Sequence, residues 1–126
     1  MIAERTRSAA GALSYRIGAA AEEGVVRHYL RTGLDVVARR WRGRAGEIDL
    51  IGRTAAGYVF VEVKAAPTLA EAAERLTRRQ MGRIAGAAEE FLGGVAGGLG
   101  NPMRIDVALV DRWGRIEICE NALLAG

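Results

Sequence analysis

Residues 46–64 read GEIDLIGRTAAGYVFVEVK, and the fold turns on this stretch. Ile48 and Leu50, then Val59, Val61 and Val63, supply the alternating aliphatic positions of two short strands, and residues 52–57 supply a turn between them. Side chains alternate faces along a strand, so Glu47, Asp49 and Ile51 share one side of the first strand, and Phe60, Glu62 and Lys64 share one side of the second. With the valines toward a core, the two charged rows lie on one face, and the register sets Glu62 opposite either Glu47 or Asp49. Like charges directly opposite destabilise a strand pair. A hairpin with only a structural task has no reason to collect them, and a divalent cation held between them would supply the missing attraction.

On the N-terminal side, residues 15–32 carry helical spacing, with Gly18, Ala21, Val25 and Tyr29 as the inward stripe and Gly33 where a left-handed cap belongs. Glu22 lies on that stripe and needs a partner, because burying an isolated charge is expensive. A boundary glutamate paired with an arginine is one reading of it and a site residue the other. Residues 1–12 lack periodicity and read as a mobile arm, whose Arg5 and Arg7 could touch phosphates. Residues 34–41 give a strand that runs into RRWRGR, residues 39–44. Arg39, Arg40, Arg42 and Arg44 around Trp41 look like a nucleic-acid edge, since arginine binds phosphate bidentately and stacks on bases or indoles. The plainer alternative is an arginine-decorated strand end that aids solubility.

On the C-terminal side, Thr68 and Glu71 form a capping box that opens a helix running to about Leu92. Leu76, Ile84, Ala88 and Phe91 mark its buried stripe, and Gln80 falls on that stripe, where an inward amide must find partners. Residues 93–102 are a flexible glycine-rich loop, residues 104–110 (RIDVALV) alternate as a strand, and residues 115–120 return as a further one. Arg104 and Asp106 share a face and read as a structural pair, linked to each other or to the first helix.

GEIDLI followed by VFVEVK resembles the YraN-like (UPF0102) group of small bacterial proteins, predicted endonucleases of the PD-(D/E)xK superfamily. The similarity runs over residues 18–110, with twelve residues between Asp49 and Glu62. The resemblance implies an α/β, restriction-endonuclease-like core, a small mixed central sheet of about five strands flanked by helices. It implies Asp49, Glu62 and Lys64 as the catalytic core, with Mg²⁺ or Mn²⁺ held by Asp49, Glu62 and the Val63 carbonyl. Aligned on Gly18 and Gly33, it gives Glu22 the role of the first-helix glutamate that holds a water or second ion. The lysine–glutamine pair of the group becomes Arg79-Gln80, with Gln80 at the site and Arg79 toward nucleic acid. Ala66 stands where members usually carry a basic residue. The superfamily includes junction resolvases, usually dimers, so branched or otherwise non-standard DNA and a homodimer enter as expectations.

The composition bounds these readings. A chain of 126 residues, half of them hydrophobic and 26% charged, suits one domain with one core. The net charge of +3 is compatible with a polyanionic partner. Cys119 is the sole cysteine, which excludes an internal disulfide, and it reads as a buried free thiol on the last strand. No apolar run reaches membrane-spanning length, and no compact apolar leader precedes the helix, so the cytoplasm is the expected compartment. The competing classes are a non-catalytic nucleic-acid-binding module on a nuclease fold, and an interaction domain whose hairpin pairs Glu47 with Lys64.

Overall fold

A computed structural model describes residues 2–122, with side chains from Arg16 onward. The fold is α/β: a five-stranded mixed sheet with three α-helices against it. In chain order the elements are α1 (Ile2–Arg31), β1 (Asp35–Arg42), β2 (Glu47–Thr54), β3 (Gly57–Ala65), α2 (Leu69–Glu74), α3 (Arg78–Gly93), β4 (Met103–Val110) and β5 (Ile116–Cys119). The sheet order is β1-β2-β3-β4-β5; only β3 and β4 run parallel, joined by the crossover through α2 and α3.

Two layers cover the sheet, and β2 departs from the alternation expected of it, since Ile48 and Ile51 face one layer and Leu50 the other. On one face α1 lays Ala21, Val25 and Tyr29 on Leu50, Val59, Val61, Ala108 and Val110. On the other, α3 lays Ile84, Ala87, Ala88 and Leu92 on Ile48, Ile51, Phe60 and Ile105. A smaller cluster of Ala72, Val107 and Leu109 continues that second layer under α2. The helix α1 ends as its sequence dictates. Gly33 takes φ 90°, its N–H donates to the Leu30 carbonyl, and the Leu34 N–H reaches back to the Tyr29 carbonyl. At its other end α1 extends through the residues expected to form an arm, and the side chains of Arg5 and Arg7 lie outside the described residues.

Three local expectations change. The hairpin turn is residues 55–56 alone, because Thr54 pairs with Gly57. Gly52 therefore sits inside β2 opposite Val59, where a Cβ would collide with the Leu34 side chain. The single helix expected after Thr68 is two. Thr68 caps α2 as expected, its hydroxyl accepting from the Glu71 N–H at 3.1 Å, but Thr77 opens α3 with a capping box of its own. The glycine-rich segment is organised by turns, with the Asn101 amide donating to the Ala96 and Gly98 carbonyls, both at 2.8 Å. Among the described residues no helix is long and apolar enough to cross a membrane.

Candidate active site

The ladder between β2 and β3 ends at Leu50 and Val61, while β3 runs on beside β4 to Ala65. The next rung would set Asp49 opposite Glu62, which decides the register left open by the sequence. Instead of continuing the ladder, Asp49 turns its side chain into the gap: Oδ2 accepts from the Val63 N–H at 2.8 Å. In an extended strand a residue's N–H and C=O leave by the same edge. The Val63 carbonyl thus faces the same gap, just past the last ladder pair.

Glu62 and Lys64 stand on the face shared by Phe60, beside Val107 and Leu109 of β4. Both side chains are 15% exposed, and Lys64 Nζ lies 3.4 Å from Glu62 Oε1. Burial, then the charge of Asp49, pushes the Glu62 carboxyl up to about 7 despite Lys64 beside it. Asp49 is raised as well, mainly by burial, with Glu22 and Glu47 adding to it and the Val63 N–H and Lys64 opposing. Burial and mutual charge thus raise both half-buried carboxyls, which is the like-charge conflict read from the sequence.

The donor set has the chemistry of a hard divalent cation. Asp49, Glu62 and the Val63 carbonyl offer oxygen alone, and Mg²⁺ is commonly held by one or two carboxylates with waters completing its shell. Among the described residues no three His, Cys, Asp or Glu side chains converge as a ready cage. Glu22 lies close enough to act on Asp49 electrostatically but is committed to Arg40, its Oε2 accepting from Nε at 3.0 Å. That is the boundary pairing, and it sets Glu22 at the margin of the pair.

Gln80 is tied into the start of α3. Its Oε1 accepts from the Thr77 N–H at 3.2 Å while its own N–H donates to the Thr77 hydroxyl at 3.1 Å. It is no member of the buried stripe, which is Ile84, Ala87, Ala88 and Leu92. Next to it Arg79 is exposed. Met81, one residue on, packs on the cluster holding Val107 and Leu109, so the start of α3 lies on the Glu62 and Lys64 face.

The arginines before the hairpin mostly hold acids. Arg39 pairs with Glu23 at 2.6 Å, Arg40 with Glu22, and Arg42 with Glu47 at 3.4 Å. Glu47 is thereby drawn away from Lys64, against the pairing expected of an interaction domain. Arg44 is exposed, and its backbone N–H and that of Ala45 donate to Glu90 of α3 at 3.0 and 2.6 Å. Trp41 is packed edge-on against Phe91, ring centroids 5.6 Å apart, rather than presented for stacking. Arg104 and Asp106 are structural as expected. Asp106 is fully buried and accepts from Arg104 Nε, the Tyr29 hydroxyl at 2.8 Å and the Asn121 N–H at 3.0 Å. Sequence reasoning missed two of these partners: Thr77, whose T-x-x-Q spacing to Gln80 was there to be read, and Glu90, which had no local signal.

Comparison with known proteins agrees with the extent of this architecture. The family model described as "Uncharacterised protein family UPF0102" matches residues 21–110, from the stripe of α1 to the end of β4. A UPF0102 protein of Cereibacter sphaeroides is 56% identical over 91% of this chain and 98% of its own length. A second, from Ruegeria pomeroyi, is 54% identical over 89% of this chain and 91% of its own. A third, from Roseobacter denitrificans, is 45% identical over 93% and 91%. Matches at this identity span the paired carboxyl strands and both helical layers together, and the chain belongs to the UPF0102 family.

Proposed function

We propose that the chain is a metal-dependent endonuclease that hydrolyses phosphodiester bonds in DNA, branched or otherwise non-standard DNA included. The observation that carries the reading is the Asp49–Glu62 pair, two half-buried carboxyls each raised chiefly by burial, with Lys64 Nζ 3.4 Å from Glu62 Oε1. A fold gains nothing from such a pair, whereas phosphoryl chemistry needs it. Asp49, Glu62 and the Val63 carbonyl would hold Mg²⁺ or Mn²⁺, which supplies Lewis-acid polarisation of the phosphate. Lys64, on the same face as Glu62, would either orient the attacking water and offset charge on the phosphate as an ammonium, or deprotonate that water as a neutral amine. The Asp49 carboxylate is aligned by the Val63 N–H. Glu22, Arg40 and Gln80 act around this trio: the first two as an ion pair beside Asp49, the third by fixing where α3 begins. Exposed Arg44 and Arg79, with Arg39 and Arg42 when they exchange their glutamates for phosphate, extend contact along the backbone.

The non-catalytic binding module remains the second reading, favoured by the commitment of Glu22 to Arg40 and of Gln80 to Thr77. Incubating the purified protein with linear, nicked and branched DNA, at increasing Mg²⁺ and Mn²⁺, separates the two. Cleavage that Lys64→Ala abolishes while DNA affinity stays near wild type is the expected result. Cleavage by Lys64→Ala and Asp49→Asn at the wild-type rate would overturn the assignment. Binding without cleavage by the wild type at any ion concentration would leave the module.

A further inference from the structure

The turn between β4 and β5, residues 111–115, carries more than a turn requires. Its closure is complete with Asp111 and Gly114. Asp111 Oδ1 accepts from the N–H groups of Trp113 and Arg115, both at 2.9 Å, and Oδ2 accepts from Arg115 Nε at 2.6 Å. Gly114 takes the left-handed φ of 78° that the chain reversal needs. The Trp113 side chain takes no part, yet it is 69% exposed, the largest exposure among the exposed large hydrophobics of the described residues. A single exposed hydrophobic is ordinary on a protein surface; what distinguishes this indole is the positive charge gathered on it.

Two guanidiniums lie over that indole ring in cation–π contact, so a base reaches its face by exchanging places with one of them. Arg112 Cζ lies 5.1 Å and Arg115 Cζ 5.2 Å from the ring centroid. Each is anchored through Nε, Arg112 to the Pro67 carbonyl at 3.2 Å and Arg115 to Asp111. The forks are thereby oriented, and their Nη groups have no protein acceptor among the described residues. Arg75 brings a third guanidinium to this end, donating to the Ala65 carbonyl at 2.7 Å.

The turn also stands beside the candidate active site. Lys64 is level with Leu109 and Ala65 with Val110 on the parallel strands. Past them the Ala66 N–H donates to the Val110 carbonyl, and the Arg112 N–H to the Pro67 carbonyl. The segment leaving Lys64 is thus hydrogen-bonded to the turn that presents Trp113. Of the three cations of this rim only Arg115 is in an ion pair among the described residues, with Asp111, whereas Arg39, Arg40 and Arg42 each hold a glutamate.

We infer that Arg112, Trp113 and Arg115 form a platform for an unpaired stretch of nucleic-acid strand, Trp113 stacking on a base and the Nη groups holding the flanking phosphates. A paired base offers no free face to an indole, so the platform favours substrates with a single-stranded segment next to the strand that enters the carboxyl pair. The inference rests on the nucleic-acid partner of the proposed function and is independent of whether the chain cleaves.

The test uses the full chain in EDTA, with a short oligothymidylate and a blunt duplex of equal length as probes. Binding of the oligothymidylate should quench tryptophan fluorescence, and Trp113→Leu should abolish the quench and weaken that binding about tenfold. Duplex binding should be unchanged in the same variant. Arg112→Gln should keep the quench while lowering the slope of affinity against salt by about one. A folded Trp113→Leu chain with wild-type affinity for the oligothymidylate overturns the platform, whatever the cleavage assay shows. So does an emission change that follows protein concentration with no oligonucleotide present, since a second copy of the chain would then be the occupant. A quench in EDTA from a chain that shows no cleavage at any Mg²⁺ or Mn²⁺ concentration leaves the platform standing and removes only the nuclease.

Discussion

Glu62 lies against Asp49 and 3.4 Å from Lys64, with its carboxyl pushed up to about 7, first by burial and then by Asp49. A carboxyl raised in the folded state favours folding below its unfolded value and loses that contribution as pH rises through the folded one. The displacement, from 4.5 to about 7, corresponds to roughly 3 kcal/mol, or several degrees of melting temperature for a domain of this size. In EDTA, the melting temperature should therefore fall between about pH 5 and about pH 8. Glu62→Gln, which keeps the shape and cannot ionise, should flatten that fall. Equal slopes for the two proteins would remove Glu62 as its cause. Asp106 shows the opposite solution to a buried carboxylate: a hydroxyl, a guanidinium and a backbone N–H all donate to it, and it is structural. The difference between the two carboxylates was legible in part. Arg104 sits two residues from Asp106 on one strand, so their pairing could be read locally, whereas Asn121 reaches Asp106 only after β5 has folded back.

At the scale of elements, the strands were the most legible part, because β2, β3 and β4 are runs of β-branched and aliphatic residues with glycines such as Gly46, Gly57 and Gly114 at their margins. What the sequence concealed were places where two elements meet. Gly52 looked like a turn residue, but it makes room for Leu34 as the chain leaves α1. Gly52→Ala should destabilise by about 1–3 kcal/mol through overpacking. Combined with Leu34→Ala, it should cost clearly less than the sum of the two single changes, since the sites are in contact. Additive melting shifts would contradict that contact. The break between α2 and α3 was hidden because apolar spacing continues across it; only the second capping box announces it. Gln80→Leu and Thr77→Ala both break that box, and each should cost about 1 kcal/mol. If Gln80 acts only through the cap, both should lower cleavage to the same small extent. A much larger loss of cleavage in Gln80→Leu at equal stability would give its amide a direct part in the site.

For the whole molecule, the proposed ion site would tie folding to ion binding. An ion that binds only the native state stabilises it by about 2.7 kcal/mol at a hundredfold excess over its dissociation constant. Millimolar Mn²⁺ should thus raise the wild-type melting temperature by several degrees. Asp49→Asn should melt no lower than wild type in EDTA, because it removes one charge of a repelling pair, and should lose most of the Mn²⁺ shift. An unchanged wild-type midpoint at saturating Mn²⁺ would falsify the ion site.

The clasp of Glu90 on Arg44 and Ala45 bears on which parts of the molecule open together. Those two backbone N–H groups belong to an exposed connection between β1 and β2, where amides ordinarily trade hydrogen with solvent at nearly the rate of a free peptide. Their acceptor is carried by α3, a helix of the crossover between β3 and β4. Their exchange is therefore timed by the unfolding of α3 rather than by motion of their own loop, and a deuterium label should enter Arg44, Ala45 and the last turns of α3 as one cooperative unit. Glu90→Ala should uncouple them, so that the loop labels early while the helix keeps its protection.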